Sequence, residues 1–518
     1  MIRASAADQT FDVVVIGSGF GGAAVACRLA QAGQSVAILE RGKEYPVEQG
    51  SFVTTGHGTR TLRHGHFLVD QGNGMNVIRG IGVGGGSLHY FGVRLRTYPE
   101  IFEDPRWPSD IDRRVLDPYY DLADRMIRSA PVSPNPVAGM PARGIAFQNA
   151  ARASRRARTE PKWVPIAVHS EEAPAPTPAG IPQTRCVYCG DCIVGCPASE
   201  TFEGNVNARE LLTLNYLAVA RQRGARIYPE HFVQTIRKPG PLFEIRFTEG
   251  DEEPASDQPK PVRSVRAHRV VVAAGTLGST EVLLQSRNDL PGLSPMLGQH
   301  FSGNGDFIYA MTKDAPFDLQ PKSGPAIVAG CDFSTDDNKI YIEDLGAIPI
   351  LGSMLGLEKG RLGVRARYRM RYLGMGTDAA NGVLRLADDN QGIILDWDPT
   401  RSLPLYHQIT AALREVSQQL NGRYHHPIGY DPVTGSGLLT AHPLGGCVMG
   451  DTSEQGVVNS QGEVFGVPGL FVADGAIVPT ALAVNPSFTI SALAERVAFF
   501  MVHGRELQPE DPATPANS

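Results

Sequence analysis

The first forty residues constrain the fold more than any other part of the chain. Residues 11–16, Phe-Asp-Val-Val-Val-Ile, form a β-branched apolar run suited to a parallel strand buried on both faces. Gly17-Ser18-Gly19-Phe20-Gly21-Gly22 follows directly, and the alanine-rich stretch Ala23–Gln31 then predicts a helix closed by Ala32-Gly33. Ser35–Leu39 predicts a second strand, with Glu40 at its end. Strand, glycine turn, helix, strand and terminal acid make a βαβ unit of the dinucleotide-binding kind. Gly17 permits the tight turn, Gly19 lets a pyrophosphate approach the backbone, and Gly22 lets helix pack on strand. The helix N-terminus favours the phosphate charge, and Glu40 accepts hydrogen bonds from ribose hydroxyls. This motif alone does not separate NAD from FAD.

Further along, Gly80-Ile81-Gly82-Val83-Gly84-Gly85-Gly86-Ser87 marks a second place where backbone must approach something closely. Residues 47–75 read as an excursion rich in Gly and His, in which His57, His64 and His66 suit a polar gating loop. Residues 131–184 carry many Pro and Ala, including Ala173–Pro178, and predict irregular covering structure. Val206–Arg221 predicts a helix and Arg269–Ala273 a buried strand leading into Ala274-Gly275-Thr276. The interval 304–400 alternates short apolar strands with turns and lacks glycine fingerprints, as expected of a sheet walling a substrate site. Gly469–Gly475 returns to strand-turn grammar, and Asn485–Phe500 closes as helix.

At 518 residues the chain is long enough for about three domain-sized units or two large interleaved ones. Its 48 Lys+Arg against 54 Asp+Glu give a net charge of -6, without the basic excess that phosphate neutralisation requires, so nucleic acid is excluded as a partner. The strand begins too near the N-terminus for a secretory leader, and the chain reads as cytoplasmic. The longest apolar candidates, such as Ala347–Leu357, are short of a membrane span and broken by glycine.

Four of the seven cysteines crowd into one run, Cys186-x-x-Cys189-x-x-Cys192-x-x-x-Cys196-Pro197. That spacing reproduces bacterial ferredoxin-type iron-sulfur ligation, although the fourth cysteine there serves a second cluster and no second set exists here. A three-iron cluster on three thiolates, a four-iron cluster with an outside ligand, zinc on four thiolates and a structural Cys loop all stay open. Cys27 and Cys447 read as small buried residues.

The remaining motifs resemble the glucose-methanol-choline (GMC) family of FAD-dependent oxidoreductases, and within it the bacterial cholesterol oxidase branch. The residues that carry the resemblance are Gly17–Gly22 with Glu40-Arg41-Gly42, Gly82–Leu88, Ala273–Ser279, His442-Pro443-Leu444-Gly445-Gly446, and Gly469–Asp474 with Val484-Asn485-Pro486. The resemblance implies an α/β chain, α+β overall, with a Rossmann-like FAD-binding domain (1–46, 75–130, 200–303 and 440–518). The second, substrate-binding domain is built on a largely antiparallel sheet (47–74, 131–199 and 304–439, with the Cys loop 186–196). FAD is expected along Gly17, Ser18, Gly19, Phe20, Gly21, Gly22, Glu40, Arg41, Gly85, Gly86, Val233, Gly275, Asp474 and Asn485. Where steroid oxidases carry an Asn after the glycine run, this chain reads His89-Tyr90.

Alcohol oxidation needs an acceptor for the hydroxyl proton and donors that orient the oxygen while hydride leaves for the flavin. The resemblance gives those tasks to His442 and Asn485. It also puts Glu343 near the buried base that isomerises a ring double bond in steroid oxidases. The implied substrate is an alcohol on a bulky, mostly apolar skeleton such as a sterol or terpenoid. With a cluster on the cysteines, electrons would pass to a quinone or redox protein; without one, oxygen is the simpler acceptor. A flavin-containing hydroxynitrile-type lyase is the alternative from the same family.

Overall fold

The computed structural model describes residues 5–45, 54–57, 61–64, 67–171, 175–190, 192, 196, 208–250, 260–320, 323–346, 365–388, 392–508 and 511. Strand Thr10–Ile16 lies at the centre of its sheet, with Val36–Leu39 parallel on one side and Val262–Val272 parallel on the other. Arg226–Tyr228 extends the sheet beyond Val36–Leu39, and Leu470–Val472 pairs in parallel with the last residues of Val262–Val272. The first residues of that long strand pair instead with antiparallel Phe243–Glu249, which carries His231–Arg237 at the edge. The alternating apolar pattern of the two antiparallel strands and the continuous run Val13–Ile16 match this division.

Helix Phe20–Gln31 is buried from Gly21 to Ala30, packed between the sheet and the C-terminal helix Ser487–His503. It ends where Gly33, at φ +79°, turns the chain so that Gly33 N–H and Gln34 N–H reach Ala30 and Leu29 carbonyls. The carboxyl ends of three strands thus deliver Gly17, Ala273 and Ala473 to one place, where ligands bind in open α/β sheets.

A second sheet is antiparallel throughout, in the order Arg423–His425, Phe307–Lys313, Met370–Gly376, Ile340–Leu345, Ala329–Asp332 and Lys162–Trp163. Helices Ala142–Ala153 and Leu403–Gln419 pack on it. A third sheet runs Leu438–Thr440, Met75–Gly80, Phe67–Asp70, Thr61–His64 and Thr54–His57. Its one parallel pairing, Leu438–Thr440 on Met75–Val77, aims the chain that continues into His442.

Two sequence expectations change. The helix expected over Val206–Arg221 is confined to Tyr216–Gln222, because tertiary bonds hold the preceding residues extended. Arg209 donates to the carbonyls of Ser87, Leu88 and Tyr90, Glu210 N–H reaches Ala167 and His169 N–H reaches Ala208. Residues 206–207 lie outside the described residues. The interval 131–184 is not wholly irregular: Ala142–Ala153 is a helix that buries Phe147, Ala150 and Ala151. Ala173 and Pro174, the run Ala347–Leu357 and His66 lie outside the described residues, and His57 and His64 end strands of the third sheet. Among the described residues no helix is long and apolar enough to cross a membrane.

The strand-end convergence is tight enough to test. A Cβ on Gly21 would lie 1.6 Å from the Ala473 carbonyl oxygen, whereas one on Gly240 would meet nothing within 4 Å. Gly21→Ala is expected to lower stability by at least about 2 kcal/mol, because two sheet-anchored backbones cannot part cheaply. Gly240→Ala should stay within about 0.5 kcal/mol of the parent. Thermal unfolding of the two variants checks both, and equal melting temperatures would contradict the packing described.

Candidate functional site

One cavity of about 300 Å³ follows the strand ends and continues into the antiparallel sheet. Its wall includes Gly17–Gly21, Glu40, Arg41, Gly85, Gly86, Val233, Gly275, Asp474 and Asn485 from the expected cofactor set, together with His442. Gly22 is behind the wall, where a Cβ would lie 2.1 Å from the Gly17 carbonyl oxygen. This is the helix-on-strand packing expected of the third glycine.

Gly17 takes φ +97° with its α-carbon pressed against Ala273, so no side chain fits. Gly19 is the opposite case: a Cβ there would meet nothing within 4 Å, and the open backbone faces the cavity. No side chain caps the helix beginning at Phe20, so its first amide N–H groups are available to an anion. Gly85 approaches Gly19 from the other wall, so the two glycine runs face each other. An open glycine, an uncapped helix N-terminus and a facing glycine loop fit the pyrophosphate of a dinucleotide, as FAD requires.

Glu40 is buried and already engaged. Oε2 accepts from the Ser18 N–H (3.1 Å) and hydroxyl (2.6 Å), while Oε1 accepts from the N–H groups of Gly42 (2.9 Å) and Gly82 (3.3 Å). Those contacts fill a carboxylate's acceptor capacity, so a ribose hydroxyl must share or displace one. Glu40 therefore ties the two glycine turns together, a role the sequence did not suggest. Asp474 is similarly held, with Oδ2 accepting from Gly275 N–H (2.8 Å) and the Ser279 hydroxyl (2.5 Å), and Oδ1 from Ala476 N–H (2.8 Å). Burial pushes both carboxyls up from their ordinary values, against the pull of these donors.

Beyond the glycine loops, the structure brings His442, Asn485 and Glu343 together. His442 Nδ1 lies 2.8 Å from Asp306 Oδ1, and Asp306 is completely buried. Asn485 Nδ2 donates to Glu343 Oε2 at 3.4 Å, while Asn485 Oδ1 and the Ser487 hydroxyl have no hydrogen-bond partner among the described residues. Such orphaned buried groups on a cavity wall are disposed to meet a ligand. Glu343 is no surface acid: it is fully buried on strand Ile340–Leu345, behind Asn485 and outside the cavity wall. Burial raises its carboxyl well above the ordinary carboxylate range, only partly opposed by the Asn485 amide. Asp306 was missed because its contact spans 136 residues; Asn304-Gly305-Asp306 reads as a simple turn.

His89 and Tyr90, the departure from the steroid-oxidase pattern, both line the cavity. The His89 ring packs against Gly80, where a Cβ would lie 2.0 Å from Cε1, and the Tyr90 hydroxyl donates to the Glu210 carbonyl at 2.6 Å.

Among the described residues, which include Cys186, Cys189, Cys192 and Cys196, no three or more His, Cys, Asp or Glu side chains form a group able to hold a metal ion. Burial raises the thiols of Cys186 and Cys196, and the neighbouring cysteine thiols add to the shift. Cys186 Sγ instead accepts from Tyr188 N–H at 3.4 Å, and Cys186 and Cys196 pack against the core of the antiparallel sheet. Among the described residues, neither an iron-sulfur nor a zinc ligand set is seen.

Comparison with known proteins agrees with the nucleotide cavity. Residues 12–106 match a family described as FAD dependent oxidoreductase, and residues 406–494 one described as GMC oxidoreductase. The chain is 30% identical to a cholesterol oxidase of Mycobacterium tuberculosis (strain ATCC 25618 / H37Rv), covering 94% of this chain and 90% of the relative. It is 27% identical to a cholesterol oxidase of Acinetobacter baumannii, covering 95% and 94%. The structure of a pyridoxine 4-oxidase from Mesorbium loti shares the fold, with a TM-score of 0.58 at 16% identity over 96% of this chain and 100% of that one.

The buried Glu343 predicts a pH signature. Its folded-state value lies above the ordinary 4.5, so the folded chain keeps a proton that the unfolded chain has released. Its effect on stability is therefore neutral below the unfolded value and increasingly unfavourable as pH rises from there toward the folded value. Glu343→Gln escapes this penalty, and its melting temperature relative to the parent should rise as pH climbs above the ordinary carboxyl value of 4.5. A difference that does not change with pH would contradict the assignment.

Proposed function

The chain belongs to the GMC oxidoreductase family and is an FAD-dependent alcohol oxidoreductase; from that premise we propose that it oxidises the hydroxyl of a bulky, mostly apolar alcohol of the sterol or terpenoid class. The observation that carries this reading is the single cavity in which the glycine loops meet His442, backed by Asp306, and Asn485. Supporting it, the cavity continues past His442 along apolar side chains, Phe91, Val93, Ile308 and Leu373. The cholesterol oxidases named above also align over nearly the whole chain.

FAD, when bound, supplies the acceptor for hydride from the carbinol carbon. Gly17–Gly21 and the helix behind them would hold its pyrophosphate, with Glu40 and Arg41 beside the adenosine and Asp474 and Gly275 at the other end. His442 Nδ1 is taken up by Asp306, which leaves Nε2 to receive the hydroxyl proton. The Asn485 amide, fixed through Nδ2 on Glu343, leaves Oδ1 as an unfilled acceptor on the cavity wall, disposed toward a donor of the bound cofactor or substrate. Glu343, kept protonated by burial and outside the cavity wall, is placed to hold the Asn485 amide rather than to take a proton from a ring carbon. The proposed electron acceptor is dioxygen, leaving as peroxide, as the names of the cholesterol oxidase relatives suggest.

The test is anaerobic mixing of the purified flavoprotein with cholesterol and, separately, a long-chain primary alcohol, followed by aeration and peroxide assay. Oxidised flavin absorbance should fall and peroxide appear in proportion to alcohol consumed. His442→Ala and Asn485→Ala should slow flavin reduction by roughly a hundredfold or more while retaining FAD. Flavin reduction without peroxide would replace dioxygen by another acceptor, and variants reduced at the parent rate would overturn the assigned roles.

A further inference from the structure

One buried loop, Ser302–Asp306, touches the supports of both residues proposed to handle the alcohol oxygen. Its sequence is Ser-Gly-Asn-Gly-Asp, and every residue of it is buried. At one end, Asp306 Oδ2 accepts from the Thr440 hydroxyl and the Ala441 N–H, each at 2.9 Å. Asp306 Oδ1 faces His442 Nδ1 at 2.8 Å, and His442 N–H returns to the Thr440 hydroxyl at 2.9 Å. A carboxylate that takes two donors on one oxygen satisfies the third contact best by accepting from an Nδ1–H.

In the middle of the loop, Asn304 serves the other residue. It adopts φ +58°, a left-handed conformation that asparagine tolerates better than most side chains. Its Oδ1 accepts from the N–H groups of Leu482 (2.8 Å) and Ala483 (3.0 Å), and its Nδ2 donates to the Val484 carbonyl at 2.9 Å. Three consecutive residues leading into Asn485 are thereby held by one amide. The loop is clamped from behind by Asp378, which accepts from Ser302 Oγ (2.7 Å) and from the N–H groups of Gly303 (2.9 Å) and Gly305 (3.0 Å).

We propose that this loop is the positioning element of the site: Asp306 holds His442 as the Nδ1–H tautomer so that Nε2 accepts the proton, and Asn304 fixes the turn that presents Asn485. Neither residue touches the substrate. The kinetic side of this inference rests on the alcohol-oxidation reading, whereas the tautomer does not. Asp306→Asn keeps the size of the side chain but offers an amide in place of a charged acceptor, which favours the opposite tautomer.

The experiment is nitrogen NMR of holoprotein labelled with 15N-histidine, with the His442 signals assigned by their loss in His442→Ala. The parent should show a protonated Nδ1 and an unprotonated Nε2 at His442. Asp306→Asn should lose that signature and slow anaerobic flavin reduction by cholesterol roughly a hundredfold, with little change in the half-saturating concentration. Asn304→Ala should slow reduction while leaving the His442 signature intact, which separates the two halves of the loop. A parent spectrum with the proton on Nε2 of His442 would overturn the Asp306 assignment without any substitution at Asp306. An Asp306→Asn protein with parental spectrum and rate would overturn it equally, and Asn304→Ala at the parental rate would remove Asn304 from the proposal. If neither cholesterol nor the long-chain alcohol reduces the flavin, the alcohol reading fails while the parent spectrum still decides the tautomer.

Discussion

The structure depends on a meeting of backbones that leaves no room for side chains. At the carboxyl ends of three parallel strands, Gly17 lies against Ala273 and Gly21 against Ala473, so closely that a single added carbon would overlap a carbonyl group. Close packing of this kind is not adjustable by small shifts, because each partner is fixed by its own ladder of sheet hydrogen bonds. The three segments come from the beginning, middle and end of the chain, so the same contact that makes the nucleotide site also closes the fold.

From that junction the site is built outward by chain segments that keep their direction. The first helix leaves the junction with its uncapped N-terminus toward the cavity, and Glu40 binds the two glycine turns to each other. Asp474 does the same for the helix that begins at Gly275. Strand Leu438–Thr440 runs into His442, and the C-terminal helix starts directly after Asn485 and Pro486. The residues proposed to hold the dinucleotide and those proposed to handle the alcohol therefore line one cavity, with Asn485 in both sets.

What was legible in the sequence was local. The βαβ unit declares itself because strand, turn, helix and acid follow in order, and the structure places them within three residues of the expected limits. His442 and Asn485 were found through family motifs, since neither residue type at its spacing signals chemistry alone. Glu343 was legible as a residue but not as a position behind Asn485. Asp306 and Asn304 were illegible because their work consists of contacts to residues 136 and about 180 positions away. The cysteine run stays undecided: its regular spacing suggested ligands, and among the described residues no group able to hold a metal ion is seen. The shortened helix at Tyr216–Gln222 has a long-range origin, since Arg209 is drawn to three carbonyls of the second glycine run.

The most direct measurement is a crystal structure of the FAD-loaded protein with a hydroxylated sterol bound anaerobically. The account predicts the hydroxyl oxygen within about 3 Å of His442 Nε2, with His442 still held by Asp306. A hydroxyl bound away from Nε2, or a His442 ring turned from Asp306 in the complex, would contradict it.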